Sequence, residues 1–259
     1  MKTRTKLLLL TVFVLLGLLM SPISARAESN PRGLSDKLPK AVQPKTILNA
    51  ELQASGGPDA FGYTFEDSFE AGGPAYNFED ISGTGTLTDN TNIDDAMSSA
   101  LPLGFNFTYY GVTYANVYAS TNGFLTFLAG QDPTLFNADP IPNTADPNGV
   151  VAGHWADWDP GQSGDIYYQT LGTAPNRRFI LQYDNVCDWD DCVGFTTFQI
   201  KLFESNNTIE VHYQSNTLNV HAYDNSLGIE NQGGTTGLQY KFWTAGSTIT
   251  LADKSAVRY

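Results

Sequence analysis

The sequence predicts an all-β fold, an antiparallel two-sheet β-sandwich of jelly-roll-like type with about a dozen short strands. Three observations predict it. From Gly57 onward, short runs rich in Tyr, Phe, Val, Ile and Thr are separated by clusters of Gly, Asn, Asp and Pro. Within the clearest runs, apolar and polar residues alternate with period two, the period of a strand with one face buried. After the first 27 residues no stretch of useful length carries a helical period. So many short strands need two sheets packed face to face to share a core. A hydrophobic content of 41% supports such a core and excludes global disorder.

Taken in chain order, the first element is a targeting segment. Lys2, Arg4 and Lys6 precede an apolar run from Leu7 to Met20, Pro22 breaks it, and Ala25-Arg26-Ala27 supplies a small-x-small cleavage triplet. This pattern is a secretory signal peptide over residues 1–27, with the mature chain expected to begin at Glu28. The run is short of the roughly 20 apolar residues that a membrane-spanning anchor needs. Residues 28–57 hold Pro31, Pro39 and Pro44 with few large apolar residues, and read as an extended linker. The sandwich is expected over 58–259, with no membrane insertion once the signal is removed.

Phe105, Phe107 and Tyr109 alternate with Asn106 and Thr108, and Tyr110-Gly111 marks the following turn. Val112 to Ser120 and Phe124 to Leu128 flank Thr121-Asn122-Gly123, where Asn-Gly favours a tight hairpin. Further strands are expected at Val150 to Asp157 and Ile166 to Thr170. Three half-buried strands follow. Their apolar faces are Phe179-Leu181-Tyr183, Phe198-Ile200-Leu202 and Ile209-Val211-Tyr213. Their polar faces, including Gln182, Gln199, Lys201 and His212, are expected to meet solvent. Ser226 to Glu230, Leu238 to Trp243 and Ala256 to Tyr259 complete the set.

The charge balance limits function. Against 27 carboxylates stand 14 Lys and Arg, a formal charge of −13 that falls to −17 once residues 1–27 are removed. Sequence-independent nucleic-acid binding requires cations to neutralise phosphates and is excluded. Docking on anionic lipid is disfavoured for the same reason. No Lys or Arg occurs from Thr46 to Asn176, a window holding sixteen carboxylates.

Cys187 and Cys192 bracket Asp188-Trp189-Asp190-Asp191 between two strands, and export permits their oxidation to a disulfide. A zinc site would need further thiols or a nearby His, and His154, His212 and His221 are scattered. Ser163 lacks the surroundings of a serine-hydrolase nucleophile. The acidic turn is the candidate metal site. Asp157 and Asp159 stand two apart at a strand end, so their side chains point the same way about 6.5 Å apart. Asp165 can curl back across Pro160-Gly161, giving three hard oxygen donors suited to calcium. The structural alternative is that these aspartates hold turns by bonding backbone amides. A glycosidase pair would need a raised-pKa acid that nothing in the sequence marks. Among the four tryptophans, Trp155 and Trp243 read as core, and Trp189 in the acidic Cys loop as an exposed ligand contact.

Three motifs together resemble a known extracellular module. They are Leu103-Gly104-Phe105-Asn106-Phe107 with Tyr110-Gly111-Val112, then Ser120-Thr121-Asn122-Gly123-Phe124-Leu125-Thr126-Phe127, then Val151 through Asp159 followed by Gly164-Asp165-Ile166-Tyr167-Tyr168. The chain from about residue 57 onward resembles the nidogen-like extracellular domain and its relatives in secreted bacterial proteins. The resemblance implies a β-sandwich with an adhesive or accessory role and carries over no catalytic centre. The expected function is a secreted, non-catalytic module binding an extracellular glycan or protein. The alternative is a secreted glycan-active hydrolase using acidic residues.

Overall fold

The computed structural model describes residues 54–259. The expected signal peptide and most of the expected linker lie outside them. Fifteen strands and no helix make up the described fold. Chain order runs β1 Ser55–Gly56, β2 Phe65–Asp67, β3 Thr86–Leu87, β4 Leu101–Tyr109, β5 Val112–Ala119, β6 Phe124–Thr126, β7 Val150–Trp155 and β8 Trp158–Asp159. It continues with β9 Asp165–Leu171, β10 Arg178–Asp188, β11 Phe195–Phe203, β12 Ile209–Asn216, β13 Asn225–Glu230, β14 Gly237–Trp243 and β15 Ser255–Arg258. Ser55 and Gly56, at the end of the expected linker, pair with Glu66 and Phe65.

Two antiparallel sheets form. The larger has the order β1-β2-β15-β12-β11-β10-β9-β3, with β8 added beside β10. The smaller has the order β14-β13-β7-β6-β5-β4. The β4 sequence shows why alternation selects a strand: Leu101, Leu103, Phe105, Phe107 and Tyr109 are buried, while Pro102, Gly104 and Asn106 between them are exposed. Pro102 has no N–H to give a ladder and is tolerated because β4 is an edge strand.

The main core lies between the sheets, where Phe107, Val151, Tyr183, Phe198, Ile200, Val211 and Leu227 belong to one buried cluster. Tyrosines tie the sheets together as well as filling the space. The Tyr183 hydroxyl of the larger sheet donates to the Ser120 carbonyl at 2.5 Å, and the Tyr213 hydroxyl to the Gly153 carbonyl at 2.8 Å. A Cβ on Gly153 would lie 2.4 Å from the Phe198 ring, so only glycine lets β7 approach β11 this closely.

Both sheets are covered on their outer faces too, which corrects the expectation of solvent-facing polar rows. Gln182, Gln199, Lys201 and His212 are all within 1% of full burial. The extended segment 76–81 crosses above them and exchanges hydrogen bonds with each. Ile81 N–H donates to Gln182 Oε1 (2.9 Å), Glu79 N–H to Gln199 Oε1 (3.2 Å) and Asn77 N–H to His212 Nδ1 (3.2 Å). Gln199 Nε2 returns a bond to the Glu79 carbonyl at 2.7 Å, and Lys201 Nζ reaches Glu79 Oε1 at 3.0 Å. A row of amide side chains thus replaces the missing ladder of a backbone that lies over the face of a sheet, leaving few buried polar groups unpaired.

On the smaller sheet, the loop between β6 and β7 folds over the outer face. Trp155 is core, as expected, but its core is this second cluster with Phe124, Ala138, Ile141 and Val150, and its indole donates to the Leu135 carbonyl at 2.7 Å. Trp243 packs in the main core.

Candidate functional site

The Ser120–Phe124 and His154–Asp159 motifs, more than thirty residues apart, form one unit at the end of the smaller sheet. β5 and β6 pair as a hairpin whose turn carries Asn122-Gly123. His154 N–H donates to the Gly123 carbonyl at 3.0 Å and Ala156 N–H to the Asn122 carbonyl at 3.2 Å. The Asn122 side chain is the junction. Its Oδ1 accepts from Trp158 N–H (3.1 Å), while its Nδ2 donates to Asp95 Oδ1 (2.8 Å) on the loop after β3. Thr121 holds the same loop by accepting from Ala96 N–H at 2.9 Å.

This junction assembles carboxylates. One oxygen from each of Asp94, Asp95 and Asp157 lies within 4.8 Å of the other two. Asp157 is 4% exposed. Burial and then the charges of Asp95, Asp94, Asp159 and Asp188 push its carboxyl up to about 7. Burial and the neighbouring Asp159 and Asp95 push Asp94 up to about 6. None of the ion pairs among the described residues involves these groups.

The three sequence-proposed ligands fare differently in position. Asp157 sits at the centre. Asp159 is beside it but turned to the chain, accepting from Gly161 N–H (2.8 Å), Gln162 N–H (3.3 Å) and Gln162 Nε2 (2.8 Å). Asp165 is placed apart, paired opposite Asp184 on β10 and accepting from the Tyr167 hydroxyl at 3.1 Å. Asp94 and Asp95 were missed, since they approach from more than sixty residues upstream. Their only signal was membership of the window without cations.

The histidines do not gather as a metal triad. His154 is fully buried, with Nε2 3.2 Å from Asn225 Oδ1, and burial pushes its pKa down to about 3, so the ring is neutral. His212 belongs to the covered face of the larger sheet, accepting at Nδ1 and placing Nε2 2.9 Å from Glu210.

A surface loop borders the acidic junction. Cys187 and Cys192 form a disulfide with Cα atoms 4.9 Å apart, closing the Asp188–Asp191 loop. Trp189 on that loop is 45% exposed. Its ring lies 6.2 Å from Tyr223, which in turn lies 4.9 Å from Phe136. Gln162 couples loop to junction, since its Nε2 donates to both Asp159 Oδ2 and the Trp189 carbonyl (3.1 Å).

The family model described as NIDO related matches residues 63–257, from just before β2 to the middle of β15. The chain belongs to the NIDO-related family. Two relatives of this NIDO-related chain are alpha-tectorins. Mouse alpha-tectorin is 35% identical over 94 residues, and human alpha-tectorin is 36% identical over 94 residues. Each match covers 35% of this chain and 4% of the relative, so the chain spans a small part of their length. No solved structure matches the chain significantly. Among the described residues no helix is long and apolar enough to cross a membrane.

Proposed function

We propose that this NIDO-related chain is a secreted, non-catalytic module that binds an extracellular glycan or protein through the Trp189 loop. The observation that carries the reading is the aromatic surface itself. Trp189 is a large ring left open to solvent on a loop closed by a disulfide, continued by Tyr223 and Phe136 and flanked by carboxylates. A held ring offers an apolar face at little entropic cost, and the adjacent acids supply acceptors for hydroxyl or amide donors. The family supports an extracellular setting, and the disulfide is consistent with export.

The hydrolase alternative is disfavoured by what Asp159 does. Its carboxylate accepts three bonds from the Gly161–Gln162 turn, which is the work of a turn-holding aspartate rather than of one presented to a substrate beside Asp157. Screening on arrays of glycans and of extracellular-matrix proteins, with released sugar measured in the same wells, tests the reading. Binding without release is expected, and Trp189→Ala should lose it at least tenfold while its unfolding midpoint stays at the wild-type value. Sugar release, or binding indifferent to Trp189, overturns the proposal.

A further inference from the structure

Asp157 differs from Asp67, Asp95, Asp159 and Asp188 in receiving no hydrogen bond from the protein. Asp159 takes its three donors, Asp95 accepts from Asn122, and Asp188 accepts from Gly194 N–H at 2.8 Å. Asp67, fully buried at the end of β2, accepts from Ala54 N–H, Phe69 N–H and the Tyr240 hydroxyl. Asp157 is 4% exposed, yet among the described residues no hydrogen bond or ion pair reaches its carboxylate. Its oxygens still touch solvent, so an ion can reach them, and a carboxylate largely out of water that faces two further carboxylates is costly without a counter-charge.

The neighbours are placed, not adventitious. Asp95 has a positive φ of 48°, and Asn122 fixes both its carboxylate and the backbone of Trp158, one residue beyond Asp157. A calcium ion bonds oxygen at 2.3–2.6 Å, so opposed ligands stand up to about 5 Å apart. Three oxygens within 4.8 Å of one another fit around such an ion. Magnesium, at 2.0–2.1 Å, needs a tighter and more regular set. We propose that Asp94, Asp95 and Asp157 form a calcium site, with water completing the coordination. Asp159 adds negative charge from beside it without being a ligand, and Asp165 takes no part. This inference stands on the bare Asp157 carboxylate and holds whether or not the Trp189 surface binds a partner.

The test is titration of chelator-treated full-length protein with calcium chloride, by calorimetry and by thermal unfolding. At calcium a hundredfold above Kd, the midpoint should rise on the order of 5–10 °C. Magnesium should give a smaller shift. Asp157→Asn and Asp94→Asn should each remove the response, whereas Asp165→Asn should keep it. Should Asp157→Asn fail to fold, heat of binding in the wild type and its loss in Asp94→Asn still decide. No heat and no shift in the wild type would overturn the site, leaving Asp94, Asp95 and Asp157 as acids that only shape the junction. A response abolished by Asp165→Asn and retained in Asp94→Asn would overturn the ligand assignment.

Discussion

Gly123 sits in the turn between β5 and β6 with φ +84°, and a Cβ there would lie 1.9 Å from the His154 carbonyl oxygen. Both facts forbid a side chain, because the left-handed region is costly for other residues and the obstacle is backbone rather than a movable group. Gly123→Ala should therefore destabilise by about 2–4 kcal/mol, read as a lowered midpoint in denaturant at unchanged slope. The damage should spread to the acidic junction, since moving Gly123 displaces Asn122 and with it Trp158 and Asp95. The thermal response to calcium expected of the proposed site should weaken in this variant along with stability. Asn-Gly as a turn was legible from the sequence. That the turn's glycine also admits a carbonyl from another strand was not, because a contact across thirty residues leaves no mark in local pattern.

The segment 76–81 and the three strands beneath it behave as one element held by amide side chains. Gln199 makes three of its bonds, to Glu79 N–H, to the Glu79 carbonyl and to Gln182 Oε1. Gln199→Leu would leave buried backbone groups unmatched, each costing about 1–3 kcal/mol. A loss of about 2–4 kcal/mol is expected. Hydrogen exchange should show the Glu79 and Ile81 amides losing protection before those of β10 and β11. β11 and β12 were readable with boundaries within about two residues, because Phe198, Ile200 and Leu202 can only face a core. β10 instead runs past the expected alternation to Asp188 and takes in Cys187, which was expected between strands. The polar sides of all three strands were misread. Gln and Lys opposite an apolar row look the same in sequence whether water or a passing backbone satisfies them. The covering segment Tyr76-Asn77-Phe78-Glu79-Asp80-Ile81 has no period of its own, so nothing announced it. The short strands β1, β2, β3 and β8 escaped for a related reason, being two or three residues long.

Across the whole molecule the dominant electrostatic fact is acid held out of water. Glu230, at the end of β13, is 1% exposed, and burial pushes its carboxyl up to about 8 although Asn143 N–H donates to it at 2.9 Å. The folded state therefore keeps a proton that the unfolded chain releases above about 4.5. The stability supplied by the neutral carboxyl is complete below that value and is lost as pH rises to about 8. Glu230→Gln keeps an acceptor for Asn143 and removes the titration. Its midpoint should fall less than that of the wild type between about pH 5 and pH 8, and should be the higher of the two at pH 8. Equal slopes in the two proteins would refute this assignment. The fold class was accessible from composition and alternation and the exposed Trp189 from its place in the acidic Cys loop, whereas the meeting of Asp94 and Asp95 with Asp157 depends on topology that only the assembled sheets reveal.

The pairing of β2 with β15 has a mechanical consequence. Asp67 lies opposite Val257 and Glu66 opposite Arg258, so this seam joins the second strand to the last, side by side in opposite directions. Tension entering at Phe65 and leaving at Arg258 would pull both strands from the same end. The rungs of that ladder would then take the strain one at a time, as in a zipper, rather than all together as when strands are slid past each other. A domain tethered through these two points would give way first at this seam. The disulfide-closed Trp189 loop, attached to β10 in the middle of the larger sheet, would lie outside the path of the pull.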